Sequence, residues 1–296
     1  MFEPRTIQGA YFAISAYVFW GFVPIYFKWM DHVSPWEIVC HRVIWSVVLL
    51  LGILYFTGQL KALRVEASVL KRLAVTSLLI SANWLVYIYA IINEHIVETT
   101  LGYFINPLVS VFLGMMFLSE RMRPLQWIAI GMAALGIAYQ LIYFGAIPWI
   151  ALWLAFSFGF YGLMRKNMNL PSVVGLALET MMILPFALIG LLWLYINGEA
   201  DFGSLDRQTD LLLMLGGFVT SFPLLCFAAA VIRLPLSIAG MFQYIAPTIS
   251  IFVAVLMYNE PFGLDRFITF ACIWVALIIF TAETLYHHRK IRLLTS

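Results

Sequence analysis

Ile105-Asn106-Pro107-Leu108-Val109-Ser110-Val111-Phe112 and Ile245-Ala246-Pro247-Thr248-Ile249-Ser250-Ile251-Phe252 share one frame, set 140 residues apart. A glutamate, Glu120 or Glu260, follows each proline by 13 residues, and the same offset pairs Ser81 with Ser221 and Ala90 with Ala230. Scattered identities come cheaply in apolar sequence. An ungapped Pro–Ser–Phe–Glu frame does not, and it marks an internal repeat. The chain is therefore expected to divide near its middle, into residues 1–148 and 149–296.

The sequence around the repeat is unsuited to water. Of its 296 residues, 63% are hydrophobic and 11% charged, where soluble domains carry about 25% charged residues. A bilayer is the solvent in which such a chain is stable. Backbone polar groups in lipid must be bonded within their own segment, so long apolar runs read as helices. Ten are expected: Gly9–Phe27, Trp36–Phe56, Leu73–Ile92, Val97–Leu118, Leu125–Phe144, Trp149–Leu163, Val173–Tyr195, Leu211–Val231, Leu236–Tyr258 and Phe267–Leu285. The sixth is short against the roughly 20 residues a span needs. The first is long enough to span and no small-residue cleavage pattern follows it, so the amino terminus is expected to stay attached. Cys40, Cys226 and Cys272 lie in apolar runs and form no disulfide or metal-binding spacing. A net charge of +2 with scattered basic residues gives nucleic acid nothing to bind. No cofactor or metal site is expected.

Five helices per repeat is an odd number, so the second repeat runs upside down relative to the first. With the amino terminus cytoplasmic, 13 of the 17 Lys and Arg residues fall on the cytoplasmic side, as membrane insertion prefers. Both termini then lie inside, including the basic tail His287-His288-Arg289-Lys290. Trp29, Trp36, Trp127 and Trp149 suit the interfacial belt. The expected class is an all-α integral membrane protein of ten transmembrane helices in two inverted repeats. That architecture is common among secondary transporters, whose substrate sites lie near mid-membrane where the repeats meet.

Ionisable side chains inside a span cost about 2.5–3.5 kcal/mol on insertion scales, so each is a lead. Arg42 and Glu179 sit about two turns inside the second and seventh helices, which are repeat partners. They are expected to be polar posts at opposite ends of a pathway; the alternative is that each snorkels to its nearer surface. Glu37 and His41 share a helix face. Glu98 is expected to cap its own helix, with cation binding the alternative, and His95 to lie in a loop. Glu120 and Glu260 close their helices and are expected to pair with Arg121 or Arg123 and with Arg266. Pro107 and Pro247 each remove an amide donor near mid-span and free a carbonyl one turn back. Tyr103, Asn106, Gln243 and Tyr244 precede them and are expected to line the cavity, with Asn83, Trp84 and Tyr87 of the third helix. Helix–helix bonding is the alternative for the buried amides.

Other classes fit less well. His32, His95, His287 and His288 lie near surfaces or in loops, and His41 has no nucleophile beside it, which argues against an intramembrane enzyme. There is no filter motif for a channel and no P-loop to drive a pump. A flippase of lipid-linked molecules would use the same architecture. Its polar head group would need more charge at mid-depth. The partners expected are a small-molecule substrate and the lipid bilayer, with Glu179 and His41 the groups placed to couple transport to protons.

Two five-helix repeats, Trp20-Gly21 in the first helix and the proline frame ending at Glu120-Arg121 resemble the EamA repeats of the drug/metabolite transporter superfamily. Longer strings are similar to its RarD group. In the first repeat these are His41-Arg42-Val43-Ile44-Trp45-Ser46, Asn83-Trp84-Leu85 and Leu101 through Pro107. In the second they are Pro223-Leu224-Leu225-Cys226-Phe227, Gln243 through Pro247 and Ile273 through Leu277. The resemblance spans nearly the whole chain. It implies a ten-helix inner-membrane permease with both ends in the cytoplasm, from a superfamily that exports amino acids, metabolites and drugs. One departure is visible: Tyr161-Gly162 stands where the second repeat would match Trp20-Gly21.

Overall fold

The computed structural model describes residues 4–93, 95–259 and 263–295, and all the regular structure among them is helical. The helices are α1 (Pro4–Lys28), α2 (Pro35–Phe56), α3 (Ala67–Ile92), α4 (Ile96–Leu118), α5 (Pro124–Phe144), α6 (Trp149–Met168), α7 (Ser172–Asn197), α8 (Arg207–Val231), α9 (Leu236–Phe242), α10 (Ile245–Tyr258) and α11 (Leu264–Thr295). Among the described residues nine helical stretches are long and apolar enough to cross a membrane, with α9 and α10 counted together. The tenth crossing, α6, carries Arg165 and Lys166 in its last turn.

Local chemistry sets the helix ends. Proline opens α2 and α5, where its missing amide would have been unbonded anyway. Asp206 caps α8 by accepting from the Thr209 amide at 2.8 Å, and that bond holds its carboxyl below the usual carboxylate range. The 140-residue offset recurs in the starts of α3 and α8, of α4 and α9, and of α5 and α11. It also recurs in the left-handed caps Ser119 (φ 54°) and Asn259 (φ 52°), which end α4 and α10. These are the two inverted five-helix repeats.

Two expectations about elements need correction. The sixth helix runs to Met168, beyond Leu163, so Arg165 and Lys166 belong to a helix and not to a cytoplasmic loop. The expected helix Leu236–Tyr258 is broken at Gln243-Tyr244 into α9 and α10. Pro247 offers no amide to the Gln243 carbonyl and crowds it. That carbonyl accepts instead from Ala246 at 3.2 Å, in a tighter turn. Pro107, at the matching place, leaves α4 unbroken.

The helices pack as a ring of eight around a crevice. In order around the ring come α1, α8, α2, α7, α3, α6, α4 and the α9–α10 pair, which returns to α1. Every neighbour in this ring belongs to the opposite repeat. Helices α5 and α11 pair outside it, joined by an Arg123–Glu283 ion pair at 2.6 Å and a Thr269–Gln140 hydrogen bond at 3.0 Å. Close approaches use small residues, as membrane helices generally do. A Cβ on Gly21 would lie 2.6 Å from that of Ile249, so glycine is what lets α1 meet α10. We call the face where α1 begins the terminal face, and the other the distal face.

A candidate substrate crevice inside the helix ring

Toward the distal face, α2 carries Arg42 seven residues past Pro35, about 10 Å from the helix start at 1.5 Å per residue. Its Nε donates to Thr220 Oγ1 on α8 at 2.7 Å. Its guanidinium lies 5.2 Å from the ring centre of Trp84 on α3 and 5.5 Å from that of Phe27 on α1. Tyr87 and Tyr103 stand close enough to feel its charge. Tyr103 keeps 52% of its surface. Set against Tyr87 and Arg42, that open side borders the crevice. Among the described residues no carboxylate comes within 4.0 Å of Arg42.

At mid-depth, α4 and α9 bring amides and phenols together. Gln243 Nε2 donates to Ser110 Oγ at 3.0 Å, and the Tyr244 hydroxyl donates to the Phe104 carbonyl at 3.3 Å. Among the described residues three polar atoms here are sealed and have no partner within 3.5 Å: Asn106 Oδ1, Gln243 Oε1 and Tyr17 Oη, the last with the Gln243 side chain close by. Buried polar atoms in folded proteins nearly always find partners, so these three are unmet hydrogen-bonding capacity held inside the helix packing.

Toward the terminal face, α7 carries Glu179 seven residues past Ser172, the register Arg42 has in α2. Glu179 is fully buried. It accepts from Thr76 Oγ1 on α3 at 2.6 Å and from the Tyr161 hydroxyl on α6 at 3.1 Å, and Arg165 Nη1 lies 3.7 Å away. Gly175 makes room for that guanidinium: a Cβ there would stand 1.8 Å from Nη1. Each post is thus held by a threonine of the opposite repeat, Arg42 by Thr220 and Glu179 by Thr76.

Comparison with known proteins agrees with this architecture. A model of the EamA-like transporter family matches residues 7–142 and again 146–282. An uncharacterized transporter of Vibrio cholerae is 46% identical over 281 residues, covering 94% of this chain and 93% of its own. Protein RarD of Escherichia coli K12 is 46% identical over 289 residues, covering 97% and 98%. This chain is a RarD-type member of the EamA-like transporter family. A crystal structure at 18% identity superposes with a TM-score of 0.73, covering 94% of this chain and 98% of that one, which shows the shared fold. Membership makes the protein a multi-pass inner-membrane permease, in a family of transporters rather than enzymes.

Some residues read from the sequence of this EamA-family chain have their polar atoms engaged elsewhere. Asn83 Nδ2 donates to the Leu154 carbonyl at 3.0 Å and Ser157 Oγ at 2.9 Å, joining α3 to α6. His41 is buried at the distal end. Its Nδ1 accepts from the Trp45 indole at 3.2 Å and Phe202 packs on its ring, while its Nε2, 3.7 Å from Glu37, has no hydrogen-bond partner among the described residues. Glu37 itself accepts the Asp201 and Phe202 amides at 2.8 and 2.9 Å. Glu120 pairs with neither Arg121 nor Arg123. It caps α9, accepting from the Leu236 and Ser237 amides at 2.6 and 2.9 Å, because helix amino-terminal amides lack partners of their own. Glu98 caps α6 through the Ile150 amide at 3.1 Å, not its own helix. Glu260 lies outside the described residues. Among the described residues no His, Cys, Asp or Glu group is arranged to hold a metal.

Sequence reasoning overlooked Arg165, Thr76, Thr220, Ser110 and Tyr17. For Arg165 a signal existed. Asn169, which takes a left-handed cap (φ 46°), followed by Pro171, is a helix stop, and it puts Arg165 inside α6. The hydroxyl residues gave none, since Ser and Thr inside spans are common.

Proposed function

We propose that this permease is a secondary carrier moving a small metabolite or drug-like molecule by alternating access. The observation that carries this reading is the set of unpartnered polar atoms on Tyr17, Asn106 and Gln243, enclosed at mid-depth by a ring of helices from alternating repeats. These atoms are closed off in the present conformation, and opening of the ring in alternating access would free them to bond a substrate. Matched prolines in α4 and α10, with an actual helix break at one of them, supply the bending point beside the site. Repeats 1–148 and 149–296 would exchange roles at the two faces. The Arg42 cluster would line the distal vestibule, and Glu179 with Thr76 would close the terminal one.

The excess of Lys and Arg on the terminal face supports a cytoplasmic location for both termini. Topology reporters in loops 57–66 and 198–206 should report opposite sides, the first cytoplasmic. Glu179 is the group best placed to couple flux to protons. It joins α3 to α6 and α7 through its carboxylate, and losing its charge would loosen all three.

The test is flux. Vesicles reconstituted with the purified protein should take up one or more components of a metabolite and drug mixture, read by mass spectrometry, above protein-free vesicles. Asn106→Ala and Gln243→Ala should cut that flux about tenfold or more, the effect expected when a buried hydrogen bond to substrate is lost. Equal flux with and without protein rejects the carrier. Unchanged flux in both variants removes the mid-depth cluster from the site.

A further inference from the structure

Arg42 is a cation lodged in a span, and among the described residues no carboxylate lies within 4.0 Å of it. Its one hydrogen bond among the described residues, Nε to Thr220 Oγ1 at 2.7 Å, uses the inner side of the guanidinium. Among the described residues no acceptor meets Nη1 or Nη2, and neither atom is sealed away as Arg165 Nη1 is. The outer edge, two parallel donors, therefore opens into the crevice. The corresponding seat in the other repeat holds Glu179, which has Thr76, Tyr161 and Arg165 around it. The charge in one seat is met by the protein, although Arg165 Nε and Nη1 beside it lack hydrogen-bond partners, and the mirror seat is left open.

What surrounds the open edge narrows the ligand. Trp84 and Phe27 flank the guanidinium, and Tyr103 and Tyr87 stand near enough to feel its charge. The planar fork of arginine matches a carboxylate in two parallel bonds. A single cation balances a single negative charge, and a phosphate dianion would keep half of its charge unmet. The wall beside it fits a flat apolar body. We propose that Arg42 is the recognition point for an anionic substrate, a small monocarboxylate whose ring or flat apolar portion stacks against Trp84 and Tyr103. This deepens the carrier reading and rests on it.

Two matched series test the charge: benzoate, benzamide and benzylamine, and phenylacetate, phenylacetamide and phenethylamine. Each is titrated into the purified full chain in detergent while the unfolding midpoint is followed. At least one carboxylate should raise the midpoint saturably, with its amide and amine at least about tenfold weaker, as expected when a charge-assisted bidentate contact is lost. Arg42→Gln should weaken the carboxylate by at least the same factor. Arg42→Lys, which keeps the charge without the fork, should keep the preference at lower affinity. If Arg42→Gln does not fold, the wild-type series and Arg42→Lys still decide. The proposal is overturned if neither carboxylate shifts the midpoint, if an amine or amide matches it, or if Arg42→Gln binds as wild type does. Vesicle flux separates the two readings. Arg42-dependent binding without flux keeps the anion site and rejects the carrier. Flux indifferent to charge keeps the carrier and rejects the anion site.

Discussion

A carboxylate taken out of water must recover its hydrogen bonds from the protein, and Glu179 does so through Thr76, Tyr161 and the nearby Arg165. Removing one partner of a buried ion pair strands the other, at a cost of roughly 3–5 kcal/mol. Glu179→Gln should therefore lower the unfolding midpoint measurably in detergent, because Arg165 is left charged and sealed. Replacing both, Arg165→Met with Glu179→Leu, should recover most of that loss. A double variant no more stable than Glu179→Gln alone would mean that the 3.7 Å pair contributes little. At this scale the sequence was partly legible. Glu179 and Arg42 stood out because charge in an apolar run is rare. Arg165 did not, because it lies one turn from a helix end where a loop was expected.

At the scale of elements, two prolines in one frame behave differently. Pro107 sits in a continuous α4, and Pro247 lies three residues beyond a break. The residues before Pro247 are drawn toward α4, Gln243 to Ser110 and Tyr244 to the Phe104 carbonyl. In the first repeat Tyr103 faces the crevice instead. Pro247→Ala returns the missing amide and should let α9 and α10 join. The expected result is a higher unfolding midpoint, worth up to about 3 kcal/mol from relieving a proline inside a helix, together with slower vesicle flux. A variant as fast as wild type would show that the break is not used in transport. Sequence located the prolines. It could not say which would break its helix, because the breaking contacts come from another element.

The whole molecule is an interleaved ring, and each repeat alone would present to lipid the faces that the other covers. Residues 1–145 and 146–296 produced as separate chains should therefore not fold singly. Co-produced, they should assemble and recover flux, since no ring contact depends on the connecting peptide. Protease resistance and size-exclusion profiles of each piece and of the pair read this directly. A first repeat that is monodisperse and protease-resistant by itself would show that the interleaving is not what stabilises the fold.

The number of spans, the internal repeat and its inversion were all readable in the sequence. Lipid imposes one rule on every segment, and that rule works through local composition: apolar length makes a helix, and an odd number of helices per repeat turns the second one over. Tertiary structure alone decided which polar groups meet. Thr220 reaches Arg42, Thr76 reaches Glu179 and Leu236 reaches Glu120 across 178, 103 and 116 residues of chain. Such partners are chosen by which helices become neighbours in the ring, and no periodicity along a single span records its neighbour.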